Sequence, residues 1–126
     1  MALPAEWYMN FTTAADFDGL IGYGVAIDAT GITSISEATD RPIGVVEDVI
    51  STGVTGEIKV RLFAPAVTVK AGGAFDEGVD LTFDATTDGQ AIATTTTDDR
   101  VFGISLQAAA DGDLVEVLPF TTFLLP

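Results

Sequence analysis

Cysteine and histidine are both absent from the 126 residues. Without cysteine there are no disulfides and no thiolate metal sites, and the redox compartment stays open. Without histidine the most common general base and the most common metal ligand are both missing. Neither a Ser–His nor a Cys–His pair can form, and no G-x-S-x-G occurs. The phosphate-cradling patterns G-x-x-x-x-G-K-[ST] and strand–G-x-G-x-x-G–helix are missing too. Basic residues are scarce: Arg41, Lys59, Arg61, Lys70 and Arg100 stand against nineteen acids, a net charge of −14. Phosphate binding needs clustered Lys and Arg, so nucleic acid is not an expected partner, and an anionic membrane surface is disfavoured for the same reason. No apolar run approaches the ~20 residues of a membrane helix. The start, MALPAEWYMN, has no basic n-region of a secretory signal, so synthesis in a cytoplasm is expected. The acidic surplus reads either as solubility and salt tolerance or as an ordinary solvated surface.

What is present favours strands. Glycine and threonine are abundant, and Val, Ile and Phe dominate the apolar set. In GEIKVRLF, Ile58, Val60 and Leu62 alternate with Lys59 and Arg61, the pattern of a strand with one face on a core. YGVAID points Tyr23, Val25 and Ile27 one way, and VDLTF does the same with Val79, Leu81 and Phe83. VFGISLQ aligns Phe102, Ile104 and Leu106. Further strands are expected at Ile43 to Val49, Ala66 to Ala71 and Asp113 to Phe120. Glycine- and aspartate-rich turns separate them, as in a barrel or sandwich. Helix is expected at most as a short turn in LQAAAD or near the N-terminus.

The chain repeats itself. TDRPIGV around Asp40-Arg41 returns as DDRVFGI around Asp99-Arg100, an offset of 59. Upstream, GVAIDATG is matched by GVDLTFDATTDG; downstream, TGEIKVRLF is matched by DGDLVEVLPF. Each copy reads strand, turn, strand, acid–Arg turn, glycine-containing strand, Gly–acid turn, strand. One such half cannot bury its apolar faces alone, whereas two can share a core. The expected organisation is therefore an all-β domain over residues 19–126, built from two similar halves at about 22–63 and 76–120. An N-terminal arm of residues 1–18 precedes it. Gly44 and Gly103 are expected to permit a bulge or close strand approach. Asp40 and Asp99 read as turn residues, and Arg41 and Arg100 as surface cations or as contacts between subunits.

RPIGVVEDVISTGVTGEIKVRLF, VKAGGAFDEGVDLTF and VFGISLQAAADGDLVEVLPF together resemble the capsid decoration, or cement, proteins of tailed bacteriophages. The resemblance spans about residues 22 to 120. It implies a small β-barrel or β-tulip-like domain on the outside of an icosahedral head, often as a homotrimer, with the major capsid protein as partner. The expected function is a non-enzymatic virion protein that stabilises the head by bridging capsid subunits. A longer N-terminal stretch and the apolar tail FTTFLLP depart from the family pattern.

Two candidate sites remain. Trp7, Tyr8 and Phe11 gather before the repeat begins, either covering one end of the barrel or anchoring a docking arm on the capsid. DATTDGQAIATT places Asp84, Asp88 and Gly89 in a calcium-loop register, but Thr95 stands where the bidentate Glu belongs, so an Asp-Gly turn is expected and neither metal nor cofactor. A β-sandwich module of a fibre or surface protein, recognising glycan or protein, is the second reading. A hydrolase with paired carboxylates is the third.

Overall fold

The computed structural model describes residues 8–13, 15–28, 31–37, 40–63, 66–87 and 89–124, leaving aside the side chains of 28 and 120–124. Among the described residues ten strands form two five-stranded sheets, and neighbouring strands in each run antiparallel. The first sheet contains β1 (Tyr8–Thr12), β2 (Gly24–Asp28), β3 (Gly31–Ser34), β4 (Pro42–Ser51) and β5 (Glu57–Leu62), in the order β1-β5-β4-β2-β3. The second contains β6 (Val67–Lys70), β7 (Asp80–Asp84), β8 (Gln90–Ala93), β9 (Arg100–Ser105) and β10 (Leu114–Leu124), in the order β6-β10-β9-β7-β8. Adding five to each strand number of the first sheet gives the second. Helix among the described residues is a single 3-10 turn, Ala85–Thr87; LQAAAD forms none.

Each sheet curls until its two edge strands meet at one parallel bridge. In the first sheet Thr13, just after β1, meets Ile32 of β3; in the second, Ala71, just after β6, meets Ala91 of β8. The contact is a point, so these are open curled sheets and not one closed barrel. The inside of the first curl buries Phe17, Val25, Ile32, Val46, Ile58 and Val60. The second core gathers Val67, Val69, Phe75, Leu81, Phe83, Phe102, Val115 and Val117, and also takes in Ala26 and Val45 of the first sheet and Ile35 just after β3.

Adjacent residues Val25 and Ala26 are therefore both buried, on opposite faces, 0% and 6% exposed. Strict alternation is lost along β2, where a bulge lies between Val25 and Ala26 in the pairing with β4. Ile27 lies beyond the last β4 partner and is 56% exposed, contrary to its expected alignment with Val25. Likewise Phe102 is buried, whereas Leu106 is 45% exposed. The expected alignment holds for Leu81 and Phe83, both buried, and for Ile58 and Val60.

The stretch expected as an arm over residues 1–18 differs in its described part. Tyr8–Thr12 is the edge strand of the first sheet, with Met9 opposite Val60 and Phe11 opposite Ile58. Phe17 is 1% exposed within the first core. Phe17 lies four positions past Thr13, and Phe75, buried in the second core, lies four positions past Ala71. The described residues of this stretch thus belong to the first sheet, and Phe11, Ala15 and Phe17 complete its core. Removing a buried Phe alone costs about 3–5 kcal/mol.

Equivalent glycines mark the closest strand approaches. A Cβ on Gly44 would lie 2.4 Å from the Arg61 carbonyl oxygen, and one on Gly103 would lie 2.5 Å from that of Leu118. The next contacts are also matched, Val60 at 2.9 Å and Val117 at 2.8 Å. The β4–β5 and β9–β10 hairpins repeat in the same way. Thr13 exchanges backbone hydrogen bonds with Gly56 and Thr55, both 3.0 Å, and Ala71 does so with Asp113 at 2.8 Å and Gly112 at 2.9 Å. Thr55 and Gly112 share this position and both are left-handed, with φ of 67° and 89°.

Two predictions follow from these matches. Gly44→Ala and Gly103→Ala should each lower unfolding stability by about 1–3 kcal/mol, because the clash is with backbone that cannot step aside. Gly73→Ala, where a Cβ would meet nothing within 4 Å, should change it by less than about 0.5 kcal/mol. Equal effects at all three sites in denaturant titrations would contradict the close-approach account. Thr55→Gly should stabilise by up to ~1 kcal/mol, since relief of a left-handed β-branched residue exceeds the entropy that glycine adds to the unfolded chain. A lowered melting temperature would reject this.

Candidate functional site

The alternation of EIKVRL buries Ile58 and Val60 and turns Glu57, Lys59 and Arg61 outward. Strand β1 lies beside them in register: Tyr8 opposes Arg61, Asn10 opposes Lys59 and Thr12 opposes Glu57. Opposed residues share a face, so the Tyr8 ring covers the two cations, with Lys59 Nζ 4.5 Å and Arg61 Cζ 5.9 Å from its centroid. Such contacts contribute about 0.5–1 kcal/mol at exposed sites. Asn10 Nδ2 donates to Glu57 Oε2 at 3.1 Å. Arg61 Nε is buried and makes no hydrogen bond. The outcome is a pair of cations under one ring, flanked by Glu57 on the same strand and by Asp48, which opposes Lys59 across β4.

Of the three aromatic anchors expected from sequence, Tyr8 stands on this outer face. Phe11 points to the opposite side, half-buried against the first core. Trp7 lies outside the described residues. Arg41 is exposed just before β4, and Arg100 is half-buried as the first residue of β9, so the two arginines belong to different sheets. Their acidic neighbours brace turns. Asp40 accepts from the backbone N–H groups of Ser36 at 2.9 Å and Glu37 at 3.1 Å, and Asp99 accepts from the Thr94 hydroxyl at 2.6 Å. Both Asp backbones also close the same turn, Asp40 N–H to Glu37 O and Asp99 N–H to Thr96 O.

The edge strand that carries Tyr8 is held at its far end. Asp16 Oδ1 accepts from the N–H of Gly53 in the β4–β5 turn and from that of Asp18, both at 3.0 Å. The Gly53 N–H, then the Asp18 N–H, hold the Asp16 carboxyl below the usual carboxylate range. Among the described residues no cluster of three or more His, Cys, Asp or Glu is arranged to hold a metal. Asp84, first residue of the calcium-like stretch, instead accepts from the backbone and hydroxyl of Thr86 at 3.0 and 2.8 Å. Asp88 lies outside the described residues.

No protein-family model matches the chain. No curated protein matches it in sequence. Among solved structures, the crystal structure of the head fiber gp8.5 N base of bacteriophage phi29 is similar to it, with a TM-score of 0.70 and 21% sequence identity. The match covers 94% of this chain and 98% of that one. The two proteins share a fold.

The Asp16 clamp sets a pH dependence. A carboxyl whose pKa is depressed by folding adds stability above its unfolded pKa, and that stability is lost as pH falls through the folded value. Wild type should therefore melt higher than Asp16→Asn at neutral pH, and the gap should close on the acid side of the carboxylate range. A gap independent of pH would show that Asp16 acts only as a neutral acceptor.

Proposed function

We propose that this chain is a structural protein of a phage virion, seated on the outer surface of the head, which it stabilises by bridging neighbouring major capsid subunits. The observation that carries this reading is the fold likeness to a head-fibre base across 94% of the chain. The sequence resemblance to capsid decoration proteins points to the same setting. The chain is read as a duplicated five-strand unit. Matched strand orders, matched edge bridges and the paired glycines Gly44 and Gly103 support that reading. No enzymatic role, metal or cofactor is proposed, since a chain without His or Cys lacks the usual nucleophile–base pairs. Synthesis in the host cytoplasm followed by assembly as a homotrimer on the capsid exterior completes the proposal.

Stabilisation would work by mass action: a protein that binds only the assembled shell favours it over separated subunits. A glycan-binding fibre module is less well supported. The exposed large apolar side chains among the described residues are Met9, Ile21, Ile27, Ile50, Val54, Leu106, Leu114 and Leu118, and sugar stacking calls for aromatic faces.

The test uses heads of the encoding phage prepared without this protein. The purified chain should pellet with them saturably and raise the temperature at which they release DNA. Light scattering of the free protein across a salt series should find a trimer. Absence of pelleting at every concentration would sink the head-surface reading.

A further inference from the structure

A second face of the molecule has the opposite character to the Tyr8 face. In β10, Val115 and Val117 are buried, so Leu114, Glu116 and Leu118 point outward. Leu114 is 55% exposed and Leu118 43%. Leu118 opposes Ile104 of β9, and the Leu106 N–H donates to the Glu116 carbonyl at 3.1 Å, which continues the ladder one pair further. Leu106 is thereby diagonal to both Leu114 and Leu118, within reach of each. At the other end Leu114 shares a groove between the sheets with exposed Ile21. Ile104, Leu118, Leu106, Leu114 and Ile21 make one apolar strip.

The first sheet shows what such a face is for. Gly44 and Gly103 occupy matching positions, so Val45, which opposes Arg61, matches Ile104, which opposes Leu118. Val45 is 0% exposed because the second sheet packs over that face of the first, in one core with Ala26 and Ile35. On the second sheet the corresponding side, which carries Leu114 and Leu118 beside Ile104, is open among the described residues. The polar positions Glu57, Lys59 and Arg61 of β5 have become Leu114, Glu116 and Leu118 in β10.

Charge selects the occupant. Glu116 stands in the middle of the strip, Asp80 opposes Ile104, and Glu47 lines the groove; Lys70, opposite Leu114, is the cation beside them. A second copy presenting the same face would set these acids against one another on chains of net charge −14. We propose that the outer face of β9 and β10 is the docking surface for a different protein, one offering an apolar surface rimmed by Lys and Arg. This assignment rests on the head-surface reading, in which that partner is the shell. A strip of five side chains falls short of the ~800 Å² per partner of a stable interface, so charged rims must supply the remainder.

The experiment measures pelleting of the full chain with heads prepared without it. Leu114→Asp and Leu118→Asp should each weaken binding about tenfold or more. Ile50→Asp, at an exposed position of β4, should not weaken it. Leu114→Thr and Leu118→Thr, which keep β propensity, decide the matter if an Asp variant loses its cooperative melt. Sedimentation velocity should find the same oligomer for all variants, and added salt should weaken binding. Wild-type affinity in the leucine variants, loss of the oligomer, or insensitivity to salt would each overturn the assignment while the head-surface reading stands. If wild type itself does not pellet, that reading fails and this one with it.

Discussion

The arrangement depends on one contact, the ring of Phe83 seated where Gly24 has no side chain. A Cβ at Gly24 would lie 2.6 Å from the Phe83 ring carbons, so any other residue there would push the sheets apart. The Gly24 N–H donates to Gly89 O at 2.9 Å, and the Lys70 N–H donates to Gly22 O at the same distance, so backbone joins backbone across the junction. Behind the contact Phe83 stacks on Phe102, with centroids 3.9 Å apart, and Phe63 extends the stack from the end of β5. Aromatic pairs contribute about 0.5–1.5 kcal/mol beyond their buried area. The junction thereby fixes the second sheet on Ala26 and Val45, turning that part of the first sheet's outer side into core.

That consequence explains which parts of the fold were legible in sequence. EIKVRL reads plainly as a strand because β5 buries Ile58 and Val60 and presents Lys59 to solvent. GVAID misleads because β2 is buried on both sides, with Val25 in one core and Ala26 in the other. A period of two carries no information where both faces are apolar. The leucine face is partly hidden in the same way: DLVEVLPF alternates two apolar sets, and only Glu116 marks the set of Leu114 and Leu118 as the outer one.

The N-terminal strand was illegible for a different reason. YMNFT and VTVK share almost no residues although β1 and β6 occupy the same place in their sheets. Edge strands need only present one modest apolar face, so sequence drifts freely there. The usable signal lay beyond it, in the Phe-Asp pairs at Phe17-Asp18 and Phe75-Asp76, each four residues past its edge bridge. The candidate site was legible in part, since Tyr8 stood out as an aromatic. The partner that gives Tyr8 its role, the Lys59–Arg61 face, required the register of β1 against β5.

The acidity that dominates the composition has a structural use as well as a solvating one. Asp16, Asp40, Asp84 and Asp113 each accept a backbone N–H in a turn, so several carboxylates replace hydrogen bonds that the sheet ladders cannot supply. Each such turn adds an acidic residue, and the summed negative charge of the chain is partly a consequence of having so many turns between short strands. The same field then acts on every encounter. It repels copies of the chain at low ionic strength and draws the molecule toward cationic surfaces, where two close-set cations under Tyr8 are a local exception. Turn chemistry and partner choice are thus coupled, because the charges that close the loops also decide what the outer faces can approach.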